Sequence, residues 1–338
     1  MRTWKSKGML TLLAVVQLLL VTPTVLAQEE TIRVVYHPIW NVSKLPLYLA
    51  QETGIFEKNR LKVSLKSPGS NKNLLAAMKN KEGDIYVVSS NHVAQSRATA
   101  GTDLVIVANT GHNYSVFLVD SSIKRPEDLK GKKIGTGALD GTPYQLTRLS
   151  LRRLGLDPDK DVTLVHYDEA RSAARAVGLL SGEVSGTLVT SEAIFELEKS
   201  GEIKKFRILA DNKKLNIYAG GGADHAIAAA FLKNHRDKAK SFLSSICEGI
   251  SLARKNKPKA LEVIAKTVQK SDPAVLEFLY RIYVGEVIPL RPHPRTEGVE
   301  LGIQMASSVH PTVKGIKAQD LVDPTLVAEL EKEGRCNS

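Results

Sequence analysis

Cysteine is nearly absent from this sequence: Cys247 and Cys336 are the only two in 338 residues. That excludes a fold stapled by a disulfide framework. Cys247 falls in an apolar helical stripe with Leu243 and Ile250, where a buried free thiol is the expected state. An oxidising compartment would permit a bridge to Cys336. Enzymatic signatures are lacking too. There is no phosphate-loop Gly-Lys-Ser/Thr, no Gly-x-Ser-x-Gly and no His-Glu-x-x-His. Gly135-Thr136-Gly137 opens like a dinucleotide fingerprint, but its sixth position is Asp140 rather than Gly. The eight histidines are scattered without metal-ligand spacing, so neither a metal nor a cofactor is expected; His37 and His92 read as ordinary hydrogen-bonded side chains rather than a metal pair.

Long apolar runs are confined to the first residues. Arg2, Lys5 and Lys7 precede an apolar stretch from Met9 to Val21, and Val25-Leu26-Ala27 offers a small-residue cleavage pattern. Residues 1–27 therefore read as a signal peptide with Gln28 as the mature start, the apolar core being short of the roughly 20 residues a spanning helix needs. No cysteine stands at that junction, so a lipid anchor is not expected and a freely diffusing periplasmic protein is. Lys and Arg outnumber Asp and Glu by 47 to 36, yet the cations are dispersed, with Lys130, Lys132 and Lys133 the densest group. A solvated basic surface fits better than a nucleic-acid interface. Asn41-Val42-Ser43 and Asn113-Tyr114-Ser115 match glycosylation sequons by chance.

Beyond the leader the chain alternates between strand and helix signals, the pattern of an α/β protein with mainly parallel sheets. Ile32 to Tyr36 is a strand; Pro46 to Thr53 is a helix stopped by Gly54; Leu61 to Leu65 and Ile85 to Val88 are further strands. The order then repeats. Lys133-Ile134-Gly135 is a strand, Thr142 caps a helix opened by Pro143, and Gly155 ends it. Val162-Thr163-Leu164 matches Val63-Ser64-Leu65, and Gly182-Glu183-Val184 matches Gly83-Asp84-Ile85 at the same offset. Two copies imply two lobes of one design. After Ala219-Gly220-Gly221-Gly222 the chain is mostly helical, with apolar stripes at Ala239, Phe242, Leu243, Ile246 and Ile250 and at Val275, Phe278, Leu279 and Ile282. Helices of that kind need a sheet to cover, so the tail is expected to return to the first lobe. The expected division is residues 28–112 and 217–338 for the first lobe and 113–216 for the second, with crossovers near Asn109–Ser115 and Ala210–Gly220.

Pro46-Leu47-Tyr48-Leu49-Ala50-Gln51-Glu52-Thr53-Gly54-Ile55-Phe56 resembles the opening helix of the periplasmic binding proteins for nitrate, taurine, alkanesulfonates and thiamine-pyrimidine precursors. Arg125-Pro126-Glu127-Asp128-Leu129-Lys130-Gly131-Lys132-Lys133-Ile134-Gly135 resembles that family's entry to the second lobe. Gly155-Leu156-Asp157-Pro158, Leu180-Ser181-Gly182-Glu183-Val184 and Glu297-Gly298-Val299 fit it as well, in order from about Ile32 to Val327. The resemblance implies a type II periplasmic-binding fold, a small ligand between the lobes, and an ABC permease with its ATPase as partners. The carrier is expected to be a monomer and not an enzyme, although enzymes of thiamine-precursor or quinone synthesis share such folds.

Ligands of open α/β sheets bind outside the carboxyl ends of the strands, near helix N-termini. That rule selects five loops and fourteen candidate positions. They are His37, Trp40 and Asn41; Ser70; Ser89, Ser90, Asn91 and His92; Thr136, Gly137, Asp140 and Thr142; and Thr190 with Glu192. Backbone N–H groups at helix starts can hold an anion, with the hydroxyls adding donors. Ser70 and Thr142 serve equally well as simple caps. Trp40, the only tryptophan after the leader, suits stacking on a flat ligand with Tyr86 or Tyr144, or local packing. None of the loops holds Lys or Arg, and Asp140 and Glu192 would repel an anion if they face inward and are harmless if solvated. Sulfonates, carboxylates and pyrimidines all remain open.

Overall fold

The computed structural model describes Met1 and residues 31–37, 42–139, 142–167, 172–218 and 222–336. The expected signal peptide, Trp40, Asn41 and Asp140 lie outside the described residues.

Among the described residues ten strands form two sheets: β1 (Ile32–Tyr36), β2 (Val63–Lys66), β3 (Ile85–Val88), β4 (Leu104–Asn109), β5 (Ser115–Asp120), β6 (Lys133–Gly137), β7 (Thr163–Tyr167), β8 (Gly186–Thr190), β9 (Phe206–Asp211) and β10 (Asp224–Ala228). The first sheet runs β2-β1-β3-β10-β4 and the second β7-β6-β8-β5-β9. In each, three strands pair in parallel and one antiparallel strand sits between the central strand and the edge. The likeness extends to an irregularity. The register of β10 on β4 shifts between His225 and Ala226, and that of β5 on β9 shifts between Phe117 and Leu118.

The duplication expected from the sequence is present, with one adjustment. Arg33 pairs with Ser64 as Lys133 pairs with Thr163, which is the β2/β7 match expected. The second match is displaced. The Asp84 N–H donates to Arg33 O at 2.8 Å, as the Ser185 N–H donates to Lys133 O at 2.8 Å. Lys81 and Gly182, both with positive φ, close the preceding helices in the same way. Asp84 therefore corresponds to Ser185, and Gly83 does not correspond to Gly182. The extra residues of the second copy precede its helix, Asn71 standing seven positions after Ser64 and Ser172 nine after Thr163, so the shared Gly-acid-apolar triplet is coincidental.

The tail behaves as its stripes require. Ala239, Phe242, Leu243, Ile246 and Ile250 are all fully buried on the Arg236–Lys255 helix, and most of them pack on Ile32, Val34, Ile85 and Val87 of the first sheet. The tail also reaches the second sheet. Phe278 meets Phe195 with ring centroids 5.4 Å apart, and Leu301 joins the core of Phe117, Ile134 and Leu146.

The expectation of a free thiol at Cys247 is corrected: Cys247 and Cys336 are disulfide-bonded, with Cα atoms 5.2 Å apart. Cys247 is buried in the apolar stripe as expected. What the stripe could not show is the Thr325–Lys332 helix lying against the same face, tied by Arg236 to Glu329 and Lys240 to Glu333. The bridge closes a loop of 89 positions. We expect Cys336→Ser to lower unfolding free energy by about 2–4 kcal/mol, read as a shifted urea midpoint that a reductant reproduces in the wild type.

Candidate ligand cleft

Strand direction alone brings two ends of the molecule together. In the first sheet Asp224 opens β10 beside Val88 of β3 and Asn109 of β4. In the second, Ser115 opens β5 beside Thr190 of β8, and Val116 lies beside Asp211 of β9. Both connections between the sheets, Asn109 to Ser115 and Asp211 to Asp224, thus join carboxyl ends to carboxyl ends. The shorter one can reach no more than about 20 Å. Both connections therefore link the ends of the two sheets at which their helices start.

On the first sheet's side the expected residues gather. The His37 N–H donates to Val87 O at 2.9 Å, and its ring lies 4.9 Å from that of His92. Burial lowers the His92 pKa to about 4, so the ring is neutral near pH 7, and its Nδ1 has no hydrogen-bond partner among the described residues. Ser89 Oγ accepts from the Gly222 N–H at 3.0 Å. Gly222 has φ +61°, and a Cβ there would stand 2.7 Å from His37 Cβ and 3.4 Å from Lys44 Nζ.

Lys44 is the residue the loops did not reveal. It lies three positions beyond the first loop, in a short 3-10 turn, Val42–Lys44, that folds it back under His37. It is fully buried, and burial lowers its pKa to about 7. The signal available in the sequence was a lysine standing immediately before an apolar helix.

The helix start at Ser90 differs from expectation. Its N–H donates to Asp224 Oδ2 at 2.8 Å, and Asp224 Oδ1 accepts from Asn109 Nδ2 at 2.7 Å. A carboxylate of the protein therefore already occupies the anion-favouring position. Ser90 Oγ bonds to Gly298 O, and a Cβ on Gly302 would lie 2.9 Å from the Asn91 nitrogen, so the Thr296–Val309 helix covers Ser90 and Asn91. Ser70 is exposed and caps its helix by accepting from the Asn73 N–H at 3.2 Å. Tyr86 is not placed for stacking: it is buried, its hydroxyl accepting from the Gly83 N–H and donating to Ala77 O.

On the second sheet's side Thr136 is fully buried and its Oγ1 has no partner among the described residues. Gly137 is held against Pro143, where a Cβ would meet Pro143 Cβ at 2.8 Å, and its carbonyl lies 3.3 Å from His166 Nδ1. Thr142 opens the Thr142–Arg153 helix. Thr190 Oγ1 lies 2.8 Å from Ser172 Oγ, at the start of the Ser172–Leu180 helix. One turn further along that helix, Arg175 is buried with Nε donating to Leu188 O, and burial lowers its pKa to about 10. Glu192 is exposed. The structure thus groups His37, Ser89 and His92 with Lys44, and Thr190 with Ser172. It leaves Ser70 and Glu192 at the surface.

Two sheets of five mostly parallel strands, duplicated and joined end to end, define a two-lobed periplasmic-binding fold. The chain belongs to the NMT1/THI5-like family, whose model matches residues 41–260. The taurine-binding periplasmic protein of Escherichia coli (strain K12) is 23% identical over 222 residues, covering 65% of each chain. The periplasmic aliphatic sulphonate binding protein SsuA of Escherichia coli has the same fold, with a TM-score of 0.64 at 20% identity over 87% of this chain and 92% of its own. The desulfurization enzyme DSZB also shares it, with a TM-score of 0.58 at 15% identity over 90% of this chain and 99% of its own. No helix among the described residues is long and apolar enough to cross a membrane.

Two tests probe this side of the gap. Gly222→Ala combines a strained φ with a clash on His37 and should cost about 1–3 kcal/mol in chemical denaturation. Asp224 carries a folded pKa raised to about 6 by burial, above the ordinary carboxylate value. Its contribution to stability is then complete below about pH 4 and declines as pH rises through about 6. Relative to Asp224→Asn, the wild type should lose about 3 kcal/mol across that window, measured as paired denaturation curves.

Proposed function

We propose that this protein is an exported, non-enzymatic solute-binding protein that holds a small organic anion between its lobes and delivers it to an ABC permease and its ATPase. The observation that carries the reading is that both connections join the carboxyl ends of two duplicated sheets. Residues 28–112 and 217–338 would form one lobe and 113–216 the other, closing as a clamshell around the ligand. The similarity to taurine- and sulphonate-binding proteins favours a sulfonate. His92 Nδ1 and the Thr136 hydroxyl, both buried, supply hydrogen-bonding capacity that the protein itself leaves unused.

A thermal-shift panel of sulfonates, carboxylates and pyrimidines tests the class, since a ligand that binds only the folded state raises Tm. Mass spectrometry of the natively purified protein identifies a co-purifying ligand, and the ligand should be recovered chemically unchanged after incubation. Recovery of a product would instead place this chain with the enzymes of the fold. Thr136→Val removes one hydroxyl at nearly constant shape. We expect ligand affinity to fall about 2–10-fold while ligand-free stability stays level or rises, because a buried unpaired hydroxyl has been deleted.

A further inference from the structure

A second cavity lies at the other edge of the sheets, beside β4 and β9 rather than β1 and β3. Its volume is about 370 Å³, within the range of roughly 300–1,000 Å³ usual for small-molecule sites. Both connections between the sheets line it, as does the tail where it runs along β4, the Asn109 N–H donating to Pro292 O at 2.9 Å.

The charges in its wall are unusual. Arg295 and Lys213 contribute two cations, and Asp211 and Glu286 two carboxylates. No ion pair joins any of these four to a described residue, and Asp211 keeps one oxygen for the cavity, its Oδ1 accepting from the Lys214 N–H at 2.7 Å as a helix cap. Arg295 lies instead over the ring of Tyr218, 4.4 Å from its centroid, and Tyr218 meets His112 edge-on at 5.2 Å. That stacking fixes the guanidinium plane while leaving its donors unused. The hydroxyls of Tyr114 and Tyr218 make no hydrogen bond among the described residues. Burial raises the Tyr114 pKa to about 12, with the negative fields of Glu286 and then Asp211 adding to it, so both carboxylates act at one point of the cavity. The Arg295 charge acts on His112, whose pKa falls to about 4 chiefly through burial. Opposite charges facing one space without pairing leave room for an occupant that bridges them.

We propose that this cavity binds a small zwitterion, an amino acid or amino sulfonate. Its acid group is held by Arg295 and Lys213, its ammonium by Glu286 and Asp211, and its short carbon chain lies against Tyr114 and Tyr218. A simple anion would satisfy the cations and leave the carboxylates facing its negative charge; a simple amine would do the reverse. None of the cleft residues His37, Lys44, Ser89, His92, Thr136 and Thr190 lines it.

Calorimetric titration of the purified protein with glycine, taurine, ethanesulfonate and ethylamine tests this. The binding that Arg295→Ala removes should be present with glycine or taurine and at least about tenfold weaker with ethanesulfonate and ethylamine; sulfonate binding that survives in Arg295→Ala belongs to the cleft. Arg295→Ala and Glu286→Gln should each weaken the zwitterion about tenfold or more, with Arg295→Lys intermediate. Thr136→Val, which reports on the cleft, should leave this affinity unchanged. Zwitterion affinity that Arg295→Ala and Glu286→Gln do not alter overturns the proposal, as does an Arg295-dependent affinity for ethanesulfonate equal to that for taurine, or no zwitterion binding by protein with an unperturbed melting curve. Because the cleft is read by Thr136→Val and this cavity by Arg295→Ala, either assignment can fail without the other.

Discussion

The antiparallel strand in each sheet is the constraint on which everything else rests. β10 enters the first sheet only after the chain has built the second, and β5 enters the second directly from the first. Each runs against its neighbours, so the chain both leaves and returns at carboxyl ends. A parallel strand in either place would have sent the connection to the far side of its sheet. With β5 and β10 reversed, short connections suffice, and they hold two rows of helix starts opposite one another. Facing surfaces of that kind suit a ligand because exposed backbone N–H groups and hydroxyls converge there before any ligand arrives.

The protein does not leave all of those groups open. Asp224 takes the Ser90 N–H, Asn109 takes the other carboxylate oxygen, and the tail helix seals Asn91. This network joins the end of β4, the start of β10 and a helix N-terminus at the root of both connections. A buried carboxylate is costly unless it is hydrogen-bonded, and here backbone and amide donors meet that requirement. The result is a rigid base on one side of the gap, with the buried His92 and Lys44 beside it.

Much of the architecture was legible because it is local. Alternating strands, the stops at Gly54 and Gly155, and the apolar stripe from Ala239 to Ile250 each follow from spacing over a few residues, and the structure has them where they were expected. The site was legible only in part. His37, Ser89 and His92 could be found because the rule for strand ends is itself local. Ser70 shows the rule's weakness: the same side chain that could bind a ligand is satisfied by its own helix. Tyr86 failed as a stacking partner because period-two alternation gives the face of a sheet but not the element covering it.

The sequence by itself determined the order of the elements, the existence of two copies and the amphipathic tail, since periodicity and turn chemistry act between near neighbours. Only the tertiary structure decided which carboxylate fills the Ser90 helix start, that Lys44 is buried under His37, that Arg295 rests on Tyr218 rather than on an acid, and that Cys247 meets Cys336. Each joins residues far apart in the chain or hidden by it. Such contacts depend on how finished elements pack, and no local pattern carries that information.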